Sequence, residues 1–108
     1  MKRYRVSFGR RAQLQLDNLY SYIAAESGEM RAEGYIGGIV TRCLSLTTFP
    51  ERGVKRDDIR PLLRVMGYER TATIAFSVDH TNRAVTILGV FYSGQNYESL
   101  LIEDQAED

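Results

Sequence analysis

This chain of 108 residues predicts an α+β domain: an N-terminal strand, an antiparallel helical hairpin, then a three-stranded antiparallel sheet. Three observations carry that expectation. Residues 71–92 read as two strands around one polar reversal, two apolar stripes of helical period lie between residues 12 and 46, and alternating residues precede them. The element order is β, α, α, β, β, β, a helical hairpin laid on one face of a mostly antiparallel sheet.

The first strand rests on Tyr4, Val6 and Phe8 alternating with Arg3, Arg5 and Ser7. Ala12, Leu16, Leu19, Tyr20 and Ile23 then recur at helical spacing, and Ser27-Gly28 supplies a stop. A second stripe follows at once through Ala32, Tyr35, Ile36, Ile39, Val40, Cys43, Leu44 and Leu46. So short a link predicts antiparallel helices. Gly37-Gly38 inside the second helix, each costing on the order of 1 kcal/mol relative to Ala, implies either a close approach or a hinge. Phe49-Pro50 ends that helix, because proline disfavours helical geometry in the residue before it.

Residues 51–58 read as a polar crossing loop, and Leu62 to Tyr68 as a strand with Gly67 marking a bulge or turn. On Thr71 to Asp79, Ala72, Ile74, Phe76 and Val78 share one face, with Ala75 the small apolar residue on the polar side. Asp79-His80-Thr81-Asn82-Arg83 supplies the reversal, since Asp and Asn bond their own backbone and tolerate left-handed geometry. Val85 to Tyr92 is apolar on both faces, which predicts a central, covered strand.

Composition narrows the function. The length fits one domain, no apolar run approaches the roughly 20 residues of a membrane span, and Lys2, Arg3 and Arg5 lead into an amphipathic strand instead of a secretory signal. Lone Cys43 at an apolar helical position fits a buried thiol in a reduced, cytoplasmic protein. The formal charge of zero is asymmetric: residues 1–97 carry 14 bases against 9 acids, a net of +5, and five acids follow Tyr97. A basic body suits nucleic acid or an acidic partner, and equally a solvated surface. No phosphate-binding glycine loop is present, and one histidine and one cysteine in different elements give no metal-ligand spacing, so no cofactor or metal is expected. His80 falls at a hairpin tip, where it reads as a surface turn residue.

Several positions taken in order resemble one family. Tyr4-x-Val6-x-Phe8, Ala12, Leu16, Leu19 and Tyr22-Ile23, then Ala32-x-x-Tyr35, Ile39 and Leu46, Phe49-Pro50-x-x-Gly53, Arg64, Ile74-Ala75-Phe76-x-Val78 and Val85-x-Ile87-Leu88-x-Val90 look like the RelE/ParE toxin superfamily, and more like its ParE branch. The resemblance runs from about Tyr4 to Tyr97, which gives a toxin domain over 1–97 and an acidic tail over 98–108. It implies the toxin of a type II toxin–antitoxin pair that inhibits DNA gyrase, is neutralised by a ParD-like antitoxin in a heterotetramer, and reaches operator DNA only through that antitoxin. Plasmid stabilisation is the associated role. The alternative is a RelE-like ribosome-dependent mRNA endonuclease, which needs a base, a cation and an acid around the scissile phosphate. Arg64 with Tyr92 or Tyr97 fits part of that need, but no histidine or lysine lies nearby in sequence.

The contact residues that follow for gyrase are Arg64, Tyr92, Gln95, Asn96 and Tyr97, none of them catalytic. Tyr20, Tyr22, Ile36 and Met66 are the candidate antitoxin anchors. ParE-like chains often end in a His-x-x-Arg-Asp-like stretch, where this one reads Tyr92-Ser93-Gly94-Gln95-Asn96-Tyr97-Glu98. Leu100, Leu101 and Ile102 either pack a final turn onto the sheet or form a partner-binding arm, with Glu103 onward expected to be unstructured.

Overall fold

The computed structural model describes residues 3–107, with side chains described for 3–102. β1 (Arg5–Phe8) is followed by α1 (Arg10–Ser27) and α2 (Glu29–Leu44), which ends in a 3-10 turn over Ser45–Thr47. Only Gly28 separates the two helices, at φ 95°, a left-handed value that a residue without Cβ adopts at little cost. Then come β2 (Val54–Lys55), β3 (Leu63–Tyr68), β4 (Ala72–Asp79), β5 (Ala84–Tyr92) and α3 (Tyr97–Glu107). No helix of the described residues is long and apolar enough to cross a membrane.

The α+β class stands as expected, and the sheet is larger than the sequence indicated. Five strands run in the order β1-β5-β4-β3-β2, with β1 parallel to β5 and the remaining pairs antiparallel. Val54 and Lys55, expected in a crossing loop, pair with Val65 and Arg64 as an edge strand. Two residues are too few to display alternation. In the reversal after β4, Asp79 accepts from the Asn82 backbone at 3.1 Å and from its side chain at 2.8 Å, while Arg83 takes the left-handed φ of 51°.

Both faces of the sheet are covered. Ile74, Phe76, Val78, Val85, Ile87 and Val90 pack under α1 and α2 against Leu19, Ile23, Ile39 and Cys43. Leu63, Ala75 and Phe91 lie on the second face, closed by Ile59 and by Leu101 of α3, which is 0% exposed. Of the three apolar residues expected to pack the C-terminal turn, Leu101 is buried, Leu100 packs beside it, and Ile102 stays exposed. α3 begins at Tyr97 and so straddles the expected domain boundary; it is helical to Glu107 where an unstructured end was expected.

One irregularity in β5 positions the site. Ala75 is opposite Gly89 while Phe76 is opposite Ile87, so Leu88 is an extra residue, a β-bulge. The bulge exchanges the faces: Val85 and Ile87 before it, and Val90 and Tyr92 after it, all turn toward the helices. An apolar pattern on both sides of this strand in the sequence is thus a central strand with a switch in phase.

Candidate functional site

β1 accompanies β5 only as far as Phe8 opposite Ile87, and Gly9 donates to the Ile87 carbonyl at 2.9 Å before α1 turns away. From Leu88 to Tyr92 this edge of β5 has no strand beside it among the described residues. The bulge aims the Val90 and Tyr92 N–H groups at that open edge, and two side chains meet them. Gln15 Oε1 of α1 accepts from Val90 at 2.7 Å, and Gln95 Oε1 accepts from Tyr92 at 2.9 Å. Leaving a part-buried backbone donor without an acceptor costs about 1–3 kcal/mol, which is the physical reason for a long amide side chain at Gln15, whereas the Tyr92–Gln95 bond is exposed and closes a local turn.

A groove of about 350 Å³ follows this edge, lined by Gln15, Asn18 and Tyr22 of α1 and by Tyr92, Ser93 and Gln95. Tyr22 and Tyr92, with ring centroids 6.3 Å apart, divide it from a larger cleft of about 680 Å³. There Tyr35 stands edge-on to Tyr68 at 5.3 Å and to Tyr92 at 5.9 Å, and its hydroxyl lies 2.5 Å from Thr71 Oγ1. Glu26, Arg31 and Glu69 also line this cleft. Burial raises the Tyr35 phenol above its ordinary value, opposed by the Thr71 bond, so the ring is neutral at physiological pH. Burial raises Tyr68 as well, with the Glu69 carboxylate adding to it.

The five expected target contacts do not form one patch. Tyr92 and Gln95 sit in the groove. Asn96 caps α3, its Oδ1 accepting from the Ser99 N–H at 3.2 Å. Tyr97 packs on the second face beside Phe91, its hydroxyl accepting from Arg56 at 2.8 Å with the guanidinium 5.9 Å from its ring. Arg56 also reaches Glu98 at 3.1 Å and Asp58 at 2.9 Å, fastening α3 to the loop before β3. Arg64 is opposite Phe76 and donates to the Arg52 carbonyl at 3.1 Å. Tyr92 is opposite Ala72, four residues before Phe76 on β4, which places Arg64 about 14 Å away along the strands.

Among the expected antitoxin anchors, Tyr22 is 54% exposed and shares the groove. Tyr20 and Ile36 are half-buried against the helix-side core. Met66 is corrected: it is 7% exposed because its position in β3 turns it under the helices, and it offers a partner little surface. His80 lies at the hairpin tip as expected, its Nδ1 2.6 Å from the Tyr4 hydroxyl and its Nε2 3.2 Å from Glu51.

The sequence gives no reason to single out Gln15 or Asn18, and it offers Tyr35 only as an apolar position of the second helix. Gln15, Asn18 and Tyr22 recur at helical spacing beside the apolar stripe of α1, and that spacing was the available signal. A glutamine on a helix has no chemistry that distinguishes it until its strand partner is known.

Residues 6–97 match a family model described as the ParE toxin of type II toxin–antitoxin systems. No protein of curated function matches the chain. Among solved structures, a chromosomal ParDE toxin–antitoxin system from P. aeruginosa is similar at 22% identity and TM-score 0.70, over 83% of this chain and 96% of that one. The toxin–antitoxin complex RelBE2 from Mycobacterium tuberculosis is similar at 18% identity and TM-score 0.59, over 83% and 98% of the two chains. A mutant of the E. coli toxin RelE in the free state is similar at 10% identity and TM-score 0.66, over 95% and 97%. At these identities the likeness is one of fold.

Proposed function

This chain belongs to the ParE toxin family of type II toxin–antitoxin systems, and we propose that it arrests growth by binding DNA gyrase and is neutralised by a ParD-like antitoxin. One observation carries the choice of binding over chemistry. The groove along the β5 edge is lined by amide, hydroxyl, aromatic and aliphatic side chains, the charged Glu26, Arg31 and Glu69 stand in the neighbouring cleft, and the only histidine is engaged with Tyr4 and Glu51 at the hairpin tip. A nuclease needs groups that exchange protons near the scissile phosphate, whereas a protein that blocks another enzyme's cycle needs a fixed contact surface. Tyr92 and Gln95 form that surface together with Tyr22, which the sequence suggests as an antitoxin anchor and which lines the same groove, and Tyr97 and Arg64 are separate, peripheral contacts.

The antitoxin contributes an amphipathic segment that orders on the toxin, in a heterotetramer that reaches operator DNA through the antitoxin. The test is DNA supercoiling by purified gyrase in the presence of antitoxin-free protein. Supercoiling falls and cleaved DNA accumulates if the reading holds, and Tyr22→Ala weakens the effect about tenfold, an ordinary loss for an exposed aromatic contact. Gyrase left untouched by folded, antitoxin-binding protein sinks the reading.

A further inference from the structure

The two glutamines that close the edge of β5 do more than satisfy it. Each carboxamide is fixed in orientation, because its oxygen accepts a backbone N–H, and reversing it would set an NH₂ group against that donor. Each Nε2 is therefore left as a donor, and among the described residues neither has a partner. Val90 and Tyr92 are two residues apart on one strand, so their N–H groups repeat at about 6.8 Å. Gln15 and Gln95 each accept from one N–H of that repeat. They stand where a neighbouring strand would, and each has an Nε2 donor to offer to whatever lies beyond.

We infer that the groove bounded by Gln15, Asn18, Tyr22 and Gln95 is a docking site for an extended segment of a protein partner, whose main-chain carbonyls two residues apart accept from Gln15 Nε2 and Gln95 Nε2. This is strand addition with a side-chain strand between sheet and ligand. The occupant is set by the complementarity: neutral amide donors at a two-residue repeat match the carbonyls along one side of an extended chain, and a helix leaves no such row unpaired. Tyr22 and Tyr92 flank the groove and pack an alternating side chain of the docked segment. The inference rests on the reading of this surface as the toxin's contact with a protein, and adds the form the ligand takes.

Substituting Glu for each glutamine separates fold from recognition. A carboxylate oxygen still accepts from the Val90 or Tyr92 N–H, but the outward donor is gone. The probe is an acetylated, N-methylamidated tetrapeptide of alternating threonine and valine, titrated into the 15N-labelled full chain. The side-chain NH₂ signals of Gln15 and Gln95 shift together with a dissociation constant in the millimolar range, and the Gln15→Glu/Gln95→Glu protein binds the peptide at least about tenfold more weakly. Unchanged hydrogen-exchange protection at Val90 and Tyr92 shows that the edge is intact, and the single Gln95→Glu variant, in an exposed turn, carries the test where the double one does not fold.

Peptide binding that leaves both NH₂ signals unmoved, no binding at all, or equal binding by the Glu variant overturns the inference. Glutamine signals that move while wild-type protein leaves gyrase active sink the gyrase reading and keep this one. Unmoved signals alongside inhibition of gyrase by the wild-type protein do the reverse.

Discussion

Single side chains at three positions answer questions that spacing alone left open. Val90 N–H depends on Gln15, so Gln15→Leu lowers stability by about 1–3 kcal/mol in urea unfolding, whereas Gln15→Glu costs less because an acceptor remains. Gly38 approaches the sheet: a Cβ there collides with the hydroxyl of Tyr68, a ring only 9% exposed and held edge-on by Tyr35. Close packing, and not a hinge, therefore explains Gly38, while a Cβ on Gly37 meets nothing within 4 Å. Gly38→Ala destabilises by about 1–3 kcal/mol and Gly37→Ala stabilises slightly, a contrast that paired thermal melts resolve. Cys43 is fully buried, and burial pushes its thiol up to about 12 from the ordinary 9.0. It stays protonated and inert to thiol reagents in the native protein at pH 8, and reacts only as fast as the fold opens. Because the folded value is the higher, its contribution to stability is complete below pH 9 and is lost as pH rises toward about 12.

Among the elements, α3 departs most from its reading as a tail. Leu101 is enclosed by Leu63, Ala75 and Phe91, so truncation after Tyr97 uncovers the second face of the sheet. Leu101→Ala costs about 2–5 kcal/mol, and the truncated chain loses at least as much in denaturant unfolding. An unchanged midpoint in the truncated chain contradicts this account of α3. The fastening around Arg56 also titrates. Its bond to Asp58 holds that carboxyl below the usual carboxylate value of 3.8, as the Asn82 contacts do for Asp79. A lowered folded value gives a contribution that is complete above pH 3.8 and is lost as pH falls through the lowered value. Asp58 is exposed, so the effect is modest and weakened by salt. Arg56→Ala flattens the acid limb of a plot of melting temperature against pH.

At the scale of the molecule, the charge asymmetry and the two covered faces set how partners arrive. Residues 1–97 carry a net +5, and of the acids that follow, Glu98 is drawn into a salt bridge with Arg56 at 3.1 Å. An acidic partner segment that meets the basic body associates with an on-rate that falls as ionic strength rises toward about 0.15 M, while the off-rate changes little. Stopped-flow association at several salt concentrations checks it; a salt-independent on-rate removes charge from the account.

The alternation of Ala72, Ile74, Phe76 and Val78, the helical stripes to either side of Gly28 and the Asp79–Arg83 reversal were all legible in the chain, because each is set by neighbours within a few residues. So was the resemblance to the ParE toxins. The pairing of β1 with β5, the two-residue β2 and the cover supplied by α3 were decided by contacts distant in sequence, for which local period carries no record. The site lies wholly on that side of the division. Tyr22, Tyr92 and Gln95 were visible as residues, but the groove they share depends on a Gln15–Val90 bond spanning 75 positions and on a bulge that aims the Val90 N–H outward. A hydrogen bond of that reach exists only once the sheet has closed against α1, and so the sequence specified the parts while the tertiary structure decided which of them meet.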